Sequence, residues 1–365
     1  MNNKDLSIYV HFLYCKSRCP YCDFFRGILP KNFDEKEYVS GICRDLEYMR
    51  NLSGEREVKS IFFGGGTPSL LSSGAVARIL DEIGKFYNIA EGVEISLEAN
   101  PNTFERNKFL GFRQAGINRL SLGVQALRED DLKFFGRTHS LEDAYKAIEL
   151  GVEVFDKFSV DLIYARPKQI FDKWVKEVDE VIKRGIKHIS LYQLSIEQGT
   201  VFYRKKIEEM PEVVSAKFYE DTVSYLRENG FERYEVSNFS KDVYNRSVHN
   251  LVYWNGGDYV GLGKGAAGRL KAKNSFYQLW DGKIEEEISP RDRGIELIIM
   301  GFRVNSGIKF GKFFDIVGID FFEFVNLKKV NNFIDEGFLI KDDESIWLTD
   351  RGFLIMDKII LEIVN

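Results

Sequence analysis

Short apolar runs and longer amphipathic stretches alternate along the first half of the chain. The short runs are rich in β-branched and aromatic residues. The segments between them repeat apolar residues at helical spacing, as in the stretch from Phe33 to Met49. Such alternation predicts parallel strands that are joined by crossover helices. Six strands are predicted, with the sequences LSIYVHF, VKSIFF, VEISLE, RLSLGVQ, FSVDLIY and HISLYQL.

The ends of these predicted strands carry polar or glycine residues. The six strands are closed or followed by a cysteine cluster, a triple glycine, Glu98, Gln125, Asp161 and Gln193. In a barrel the carboxyl ends of the strands share one mouth, where such folds place their chemistry. The sequence therefore predicts an α/β fold built on a partial (β/α)6 barrel of the TIM type, and not an open doubly wound sheet.

The pattern changes after about residue 200. We expect the barrel to occupy residues 1–200, a glycine- and aromatic-rich extension of the barrel to occupy residues 201–285, and a C-terminal domain to occupy residues 286–365. Two short strands around Asp342–Glu344, followed by a helix, resemble the wing of a winged helix. Acidic residues outnumber basic ones in this α+β appendage, so we expect it to be structural or to dock a partner, and not to bind nucleic acid.

The composition restricts the class of protein and the partners that we expect. Of the 365 residues 44% are hydrophobic and 29% are charged, and the formal net charge is −5. This balance is ordinary for a globular protein and gives no electrostatic reason to expect nucleic acid as a partner. The first residues lack the features of a signal peptide, and no segment approaches the roughly 20 apolar residues of a membrane span. We therefore expect a cytoplasmic protein without an integral membrane segment.

Three of the four cysteines lie in one loop. Cys15, Cys19 and Cys22 follow the first strand in the stretch YCKSRCPYCDFF, and Cys43 is the only other cysteine. A redox dithiol would use two of these thiols, and a zinc site would need a fourth ligand, for which His11 is the nearest candidate. An iron–sulfur cluster with one iron open to a further ligand would use all three. We favour the cluster, and we interpret Cys43 as a helix cysteine packed outside the barrel.

A second chemical signal is the glycine run in FFGGGTPS. Gly64, Gly65 and Gly66 lack side chains, so their backbone amides can approach a ligand closely, and the Thr-Pro-Ser that follows is typical of a helix start. The spacing is not that of the dinucleotide-binding G-x-G-x-x-G motif. We therefore expect a ligand other than a dinucleotide at this turn.

Together these segments resemble the radical S-adenosylmethionine (SAM) superfamily, in which three cysteines hold a [4Fe–4S] cluster and SAM chelates the fourth iron. The resemblance implies that Cys15, Cys19 and Cys22 hold the cluster. It also implies contacts to SAM from Tyr9, Tyr21, Gly65, Gly66, Thr67, Glu98, Gln125, Arg137 and Asp161. Carboxylate and amide groups suit the ribose hydroxyls and ammonium group of SAM, and arginine suits its carboxylate. We further expect Phe24 and Phe25 to pack the loop against the barrel.

Within that superfamily the motifs CPYCDF, GGGTPSLL, EANP, GVQ, GRTH and DLIY are similar to the oxygen-independent coproporphyrinogen III oxidase family. The oxidases carry a long segment before the cluster loop, whereas here Tyr9 is close to the start of the sequence. The HemW-type haem-chaperone branch carries H-N-x-x-Y-W, which is complete at residues 249–254 as HNLVYW. A neutral imidazole is a good axial ligand for haem iron, so the resemblance implies haem ligation by His249. The alternative is a core histidine followed by core aromatic residues.

The resemblance leaves alternative functions open. One is a haem chaperone that carries haem to haem-accepting proteins, membrane respiratory enzymes among them. The others are the oxidative decarboxylation of coproporphyrinogen III and another radical SAM reaction. We favour the chaperone because HNLVYW is complete, although Lys264 and Ala267 stand where a cysteine and a histidine are expected, which leaves the role of the GLGKGAAG loop open. Productive cleavage of SAM, a peripheral position at the membrane and assembly as a homodimer are also left open.

Overall fold

The computed structural model describes residues 4–103 and 106–365. In chain order, the strands are β1 (Asp5–Phe12), β2 (Tyr14–Cys15), β3 (Gly27–Ile28), β4 (Glu57–Gly65), β5 (Asn88–Ala99), β6 (Arg119–Gln125), β7 (Lys157–Tyr164), β8 (His188–Gln193), β9 (Glu232–Arg233), β10 (Asn238–Ser240), β11 (Tyr259–Leu262), β12 (Ala267–Ala272), β13 (Ser275–Trp280), β14 (Lys283–Ile288), β15 (Ile308–Lys309), β16 (Leu339–Lys341) and β17 (Ser345–Leu348).

The α-helices are α1 (Glu35–Ser53), α2 (Ser73–Phe86), α3 (Arg106–Ala115), α4 (Glu129–Phe134), α5 (Leu141–Val154), α6 (Phe171–Lys183), α7 (Val201–Arg204), α8 (Glu212–Glu228), α9 (Val248–Trp254), α10 (Pro290–Gly301), α11 (Phe310–Val317), α12 (Leu327–Asp335), α13 (Asp350–Leu354) and α14 (Met356–Ile363). Within the described ranges, none of these helices combines the length and the hydropathy that crossing a bilayer requires.

One twelve-stranded sheet forms the main body, in the order β14-β13-β12-β11-β1-β4-β5-β6-β7-β8-β10-β9. The seven strands from β11 to β8 in this order pair in parallel, so their carboxyl ends lie at the same edge. Six of them are the predicted strands with the predicted helices between them, which confirms the partial barrel. The seventh, β11, lies beside β1 and was not predicted.

The alternation of residues along β1 explains how the barrel obtains a polar interior. Ile8 and Val10 are fully buried among the helices that cover the outside of the sheet. Ser7 and His11 point to the opposite face, because successive strand residues alternate between faces. There the hydroxyl groups of Ser7 and Ser60, on adjacent strands, are 2.7 Å apart. The interior face therefore carries groups that can bind a polar ligand.

Residues 201–285 share the sheet and the core of the barrel. β10 pairs antiparallel with β8 and with β9 at one edge, and β12, β13 and β14 continue antiparallel from β11 at the other. The same buried cluster runs from Leu6 in β1 to Leu279 in β13. This part of the chain therefore widens the barrel sheet.

The C-terminal part has its own small sheet and its own core. β17 lies between β15 and β16 and pairs antiparallel with both, and α10 to α14 surround them. The core of this part contains several phenylalanines, among them Phe302, Phe313 and Phe324. β16 and β17 are the two short strands that the sequence predicted, and α13 follows them as expected.

Candidate functional site

A cavity of about 390 Å³ opens at the carboxyl ends of the parallel strands. Its walls come from the cysteine loop, the glycine run and the ends of β5 to β8. The predicted site residues that line it are Cys15, Cys19, Tyr21, Cys22, Gly65, Gly66, Thr67, Glu98, Gln125, Arg137 and Asp161. The structure thus brings all but two of the predicted site residues to one cavity. Tyr9 and His249 do not line it.

Hydrogen-bond donors converge on the cysteine sulfurs. The Thr67 hydroxyl donates to Cys15 Sγ at 3.4 Å, and Arg137 Nη1 donates to Cys19 Sγ at 3.4 Å. These two donors are connected through Asn100, whose amide nitrogen donates to Thr67 Oγ1 at 3.1 Å and whose amide oxygen accepts from Arg137 Nη2 at 2.5 Å. The side chain of Asn100 therefore links the environments of two thiols. Sequence reasoning missed it, although it follows Glu98 by two positions in the EANP motif.

Arg26 organises the third thiol and the loop itself. Its Nε donates to Cys22 Sγ at 2.9 Å, and its Nη2 donates to the backbone carbonyls of Cys19 and Cys22. Because a guanidinium presents several donors in a fixed plane, one side chain can hold a thiol and two loop carbonyls together. The three sulfurs consequently each have a fixed polar neighbour.

The arrangement of the thiols differs from a single-ion site. Within residues 4–103 and 106–365, no three Cys, His, Asp or Glu side chains converge as ligands of one metal ion. An iron–sulfur cluster takes one thiolate for each protein-bound iron, so its ligands are spread around the cluster. Cys43 lies on α1 near Glu82 and Arg78 of α2 and does not line the cavity. The three loop cysteines are therefore a set that fits a cluster with one iron left for a ligand.

Two half-buried carboxyl groups face the cavity from β5 and β7. Glu98, near the end of β5, accepts a hydrogen bond from the Gly65 amide at 3.2 Å, and Asp161 in β7 accepts from the Ser121 hydroxyl at 3.0 Å. Burial and, to a lesser degree, the charge of Asp161 raise the pKa of Glu98 to about 8. Burial also raises the pKa of Asp161, to about 6, against the effect of nearby serine hydroxyls. A cationic ligand in the cavity would stabilise the ionised forms of both carboxyl groups and so lower their pKa values.

Gln125 ends β6 in an unusual backbone conformation. Its φ is 73°, and the pairing of β6 with β7 is irregular between Gly123 and Gln125. A left-handed conformation is uncommon for residues other than glycine and is often found at functional sites. It turns the Gln125 side chain into the cavity wall.

The glycine run is required by chain packing. A Cβ on Gly66 would lie 2.5 Å from the carbonyl oxygen of Tyr14, and a Cβ on Gly65 would lie 2.6 Å from the ring of His11. The Gly66 amide donates to the Phe12 carbonyl and the Thr67 amide donates to the Tyr14 carbonyl. The glycines thus let the end of β4 lie directly against the start of the cysteine loop. The sequence had suggested close approach to a ligand as their purpose.

Tyr9 lies below the cavity. Its hydroxyl is 3.0 Å from His11 Nδ1, and its ring stacks on Phe62 with a centroid distance of 6.2 Å. The other ring nitrogen of His11 is 3.1 Å from the Phe25 carbonyl. Tyr9 therefore orients His11 and packs on Phe62 inside the barrel, and it does not line the cavity.

His249 is enclosed in the barrel interior. It has no solvent exposure, its Nδ1 is 2.8 Å from Ser60 Oγ, and its Nε2 is 2.5 Å from the Tyr253 hydroxyl. Its ring stacks on Phe62 at 5.1 Å, and burial lowers its pKa to about 3. The imidazole is therefore neutral, but both nitrogens are engaged. In this conformation the geometry matches the alternative of a core histidine.

A buried ion pair holds the helix that carries His249. Glu94 Oε1 accepts from the Val248 amide at the start of α9, and Arg119 Nε lies 2.9 Å from Glu94 Oε2. Arg119 Nη2 also donates to the carbonyls of Asn245 and Arg246. Sequence reasoning missed this pair because neither residue lies at the carboxyl end of a strand. It anchors α9 at the amino-terminal end of the barrel interior.

The prediction that Phe24 and Phe25 pack the loop against the barrel is confirmed for Phe25 alone, whose ring lies against Gly265 and meets Trp280 of β13 edge to face at 6.0 Å. Phe24 is 67% exposed and Phe25 is 48% exposed. The guanidinium of Arg26 binds the loop carbonyls, and the backbone carbonyl of Phe25 is bonded to His11. Phe24 lies mostly exposed at the cavity wall, so the prediction is wrong for that residue. Tyr21, by contrast, packs on Phe135 and lines the cavity.

Comparison with known proteins shows two matching family models. Residues 9–181 match the radical SAM superfamily, and residues 288–355 match the HemN C-terminal domain.

Curated relatives match nearly the whole chain. The heme chaperone HemW of Buchnera aphidicola subsp. Acyrthosiphon pisum is 34% identical over 95% of this chain and 95% of its own length. The heme chaperone HemW of Escherichia coli strain K12 is 31% identical over 97% of each chain. The mitochondrial radical S-adenosyl methionine domain-containing protein 1 of Bos taurus is 31% identical over 98% of this chain and 87% of its own.

A solved structure shares the fold. Coproporphyrinogen III oxidase (HemN) from Escherichia coli, a radical SAM enzyme, has a TM-score of 0.81 over 98% of this chain and 89% of its own. The sequence identity is 19%, so this likeness concerns the architecture.

Proposed function

Because the chain belongs to the HemW family within the radical SAM superfamily, we propose that it is a haem chaperone that binds a [4Fe–4S] cluster, SAM and haem. The superfamily implies the first two cofactors, and the name of the relatives suggests the third. The observation that carries the proposal is the set of three thiols at the mouth of a cavity with carboxylate, amide and guanidinium groups in its walls.

Cys15, Cys19 and Cys22 would hold the cluster. Once bound, the cluster supplies an iron that the amino and carboxylate groups of SAM can chelate. The protein supplies hydrogen bonds to the sulfurs from Thr67 and Arg137. Such bonds tune the reduction potential of a cluster and orient its ligands.

The walls of the cavity would hold SAM. Glu98 and Asp161 offer carboxylates to the ammonium group and the ribose hydroxyls, and Gln125 offers an amide. Arg137 offers a guanidinium to the carboxylate of SAM; its Nη1 donates to Cys19 Sγ, and its Nη2 donates to Asn100 Oδ1 and to the Gly123 carbonyl. We assign Tyr9 an indirect part, through His11, in holding the floor of the site.

Haem ligation by His249 stays a prediction. It requires the imidazole to leave Ser60 or Tyr253, because both ring nitrogens are engaged, and it requires the enclosed ring to become accessible. Haem binding as such does not depend on this assignment, because other surfaces can hold a planar ligand.

The test is anaerobic reconstitution of the cluster followed by titration with haem. We expect saturable haem binding in the Soret region for the wild type, and loss of iron loading when Cys15, Cys19 and Cys22 are replaced by alanine. Absence of saturable haem binding would contradict the proposal. A His249→Ala variant that binds haem like the wild type would refute only the ligand assignment.

The same reconstituted sample tests the rival function. Incubation with coproporphyrinogen III, SAM and a reductant should yield no protoporphyrinogen IX. Its formation would favour the oxidase and count against the chaperone.

A further inference from the structure

A buried arginine behind the carboxyl end of β7 binds two carboxylates that lie on different helices. Arg166 follows β7, and its Nη1 and Nη2 both donate to the carboxylate of Glu177 on α6, with Nη1 3.2 Å from Glu177 Oε2. The same Nη1 lies 3.0 Å from Asp131 Oδ2 on α4. Arg128 Nε is also 3.3 Å from Asp131 Oδ2, but Arg128 directly precedes α4 and so connects it to no other element through this contact. Arg166, whose guanidinium presents several donors in a rigid fork, therefore connects α4 to α6.

The same ion pair fixes the start of the segment 127–137, which contains α4. Glu177 Oε2 accepts a hydrogen bond from the Leu127 amide at 2.8 Å. Arg166 and Glu177 are 2% and 3% exposed, so water and salt screen their attraction very little. The segment 127–137 is therefore held by buried charged groups at its first residue, and again at Asp131 within α4.

The other end of this segment lies against the cysteine loop. The ring of Phe135 packs edge to face on that of Tyr21, with their centroids 5.0 Å apart. A Cβ on Gly136 would lie 2.8 Å from Cδ of Pro20, so the backbone here is in close contact with the loop. The Arg137 amide donates to a carbonyl within α4 at 2.8 Å. The position of the Arg137 backbone is therefore set by α4.

We infer that Arg166 is a positioning residue for the SAM site, because it holds α4, and α4 in turn holds Arg137 beside Cys19. This inference rests on the proposed function, in which the cavity holds a cluster and SAM. Arg137 Nη1 donates to Cys19 Sγ at 3.4 Å, and its guanidinium is the group assigned to the SAM carboxylate. A shift of α4 would disturb both contacts, although Arg166 itself does not line the cavity. Replacing residues that only orient the ligands of a metal site typically costs about 10–100-fold in affinity or activity.

The variant Asp131→Ala tests the inference with little damage to the core, because it removes the contact of Arg166 with α4 and leaves the Arg166–Glu177 pair in place. In the apoprotein, hydrogen exchange of the backbone amides of residues 127–137 should become faster. After anaerobic reconstitution, the Kd for SAM should rise about tenfold, as measured by the change that SAM causes in the electron paramagnetic resonance spectrum of the reduced cluster. The loss of iron to a chelator should also become faster.

Two further variants of α4 and a pair of arginine variants serve as comparisons. Asp131→Asn keeps an oxygen that can accept from Arg166 and should restore most of the affinity, and Asp130→Ala, at the exposed neighbouring position, should bind SAM like the wild type. Arg166→Met is compared with Arg293→Met, since Arg293 on α10 is equally buried, donates to Glu296 at 2.9 Å and does not line the cavity. Both arginine variants should be less stable than the wild type. At a temperature at which both are folded, only Arg166→Met should raise the Kd for SAM.

The outcomes separate this inference from the proposed function. A wild-type Kd for SAM in both Asp131→Ala and Arg166→Met would overturn the positioning role and leave cluster and SAM binding standing. An equal rise of the Kd in Arg293→Met would show a general effect of lost stability and would overturn the positioning role as well. A wild-type protein that holds no cluster or binds no SAM would overturn the proposed function and this inference together.

Discussion

Replacing Glu98 with glutamine should stabilise the apoprotein at neutral pH while weakening its binding of SAM. The Glu98 carboxyl group is half-buried at the cavity wall near Asp161, and its pKa is raised to about 8. Glutamine keeps an oxygen that can accept from the Gly65 amide and has no charge to bury. The substitution therefore removes the energetic cost of burying a charge in the apoprotein. It also removes the carboxylate that would contact SAM.

The magnitude follows from the linkage between pKa and stability. Between the ordinary pKa of 4.5 and the raised value of about 8, the native state binds more protons than the unfolded state. The free energy of unfolding of the wild type therefore falls as pH rises through this window, by at most about 1.4 kcal/mol per pH unit. Over the whole pH range between these two pKa values, the loss in the free energy of unfolding is at most about 5 kcal/mol. The cavity is open to solvent, which reduces the effect, so we expect Glu98→Gln to raise the free energy of unfolding by about 1–3 kcal/mol at pH 8.

Urea unfolding of the apoproteins at pH 5, 6.5 and 8 measures this gain. The difference between Glu98→Gln and the wild type should be small at pH 5 and largest at pH 8. Glu47→Gln, on the exposed side of α1, is the control and should show no such trend. A Glu98→Gln protein that is no more stable than the wild type at pH 8, or that gains equally at all three pH values, would refute the reasoning.

Three further predictions concern residues that hold the site. Arg26→Ala should lower the reduction potential of the reconstituted cluster by about 60 mV, the equivalent of about 1.4 kcal/mol for one charge-assisted hydrogen bond; an unchanged potential in a redox titration followed by electron paramagnetic resonance would contradict this. Asn100→Ala should cost about 1–3 kcal/mol in urea unfolding and speed the loss of iron to a chelator, because it leaves Arg137 and Thr67 without their shared partner; Asn102→Ala, also at the cavity, is the control. Arg119→Ala should cost about 3–5 kcal/mol in urea unfolding, because it leaves Glu94 buried with less compensation; a cost below about 1 kcal/mol would exclude the ion pair as the anchor of α9.

The barrel and most of the cavity wall could be predicted from the sequence because both depend on local patterns. The six strands alternate with helices of regular period, and parallel strands end at one edge. A residue at a strand end, such as Glu98, Gln125 or Asp161, is therefore placed by its position in the chain. The spacing of the three cysteines likewise fixes them in one loop.

Features that depend on contacts between distant parts of the chain could not be predicted. β11 pairs with β1 across some 250 residues, as in the pair of Ser7 and Tyr259, and nothing in its short sequence marks it as a parallel strand. The ion pair of Glu94 and Arg119 joins neighbouring strands inside the barrel. The motif HNLVYW specifies which residue types are present, but it does not determine whether the His249 side chain faces a ligand or the core.

The exposed position of Phe24 was missed for a related reason. Apolar residues near a loop are expected to cover the core, but here polar groups of Arg26 and His11 occupy the inner side of the loop. Side-chain direction in an irregular loop follows from such hydrogen bonds, which the periodicity of the sequence does not report.

Transfer of haem from the reconstituted protein to an apo-haemoprotein tests the central claim most directly. The protein is loaded with haem, separated from free haem and mixed with the acceptor, and the spectrum of the acceptor is followed with and without SAM. A chaperone predicts that the acceptor gains its native haem spectrum while the donor loses its own. No gain in the acceptor above that from a haem–albumin control would contradict the account.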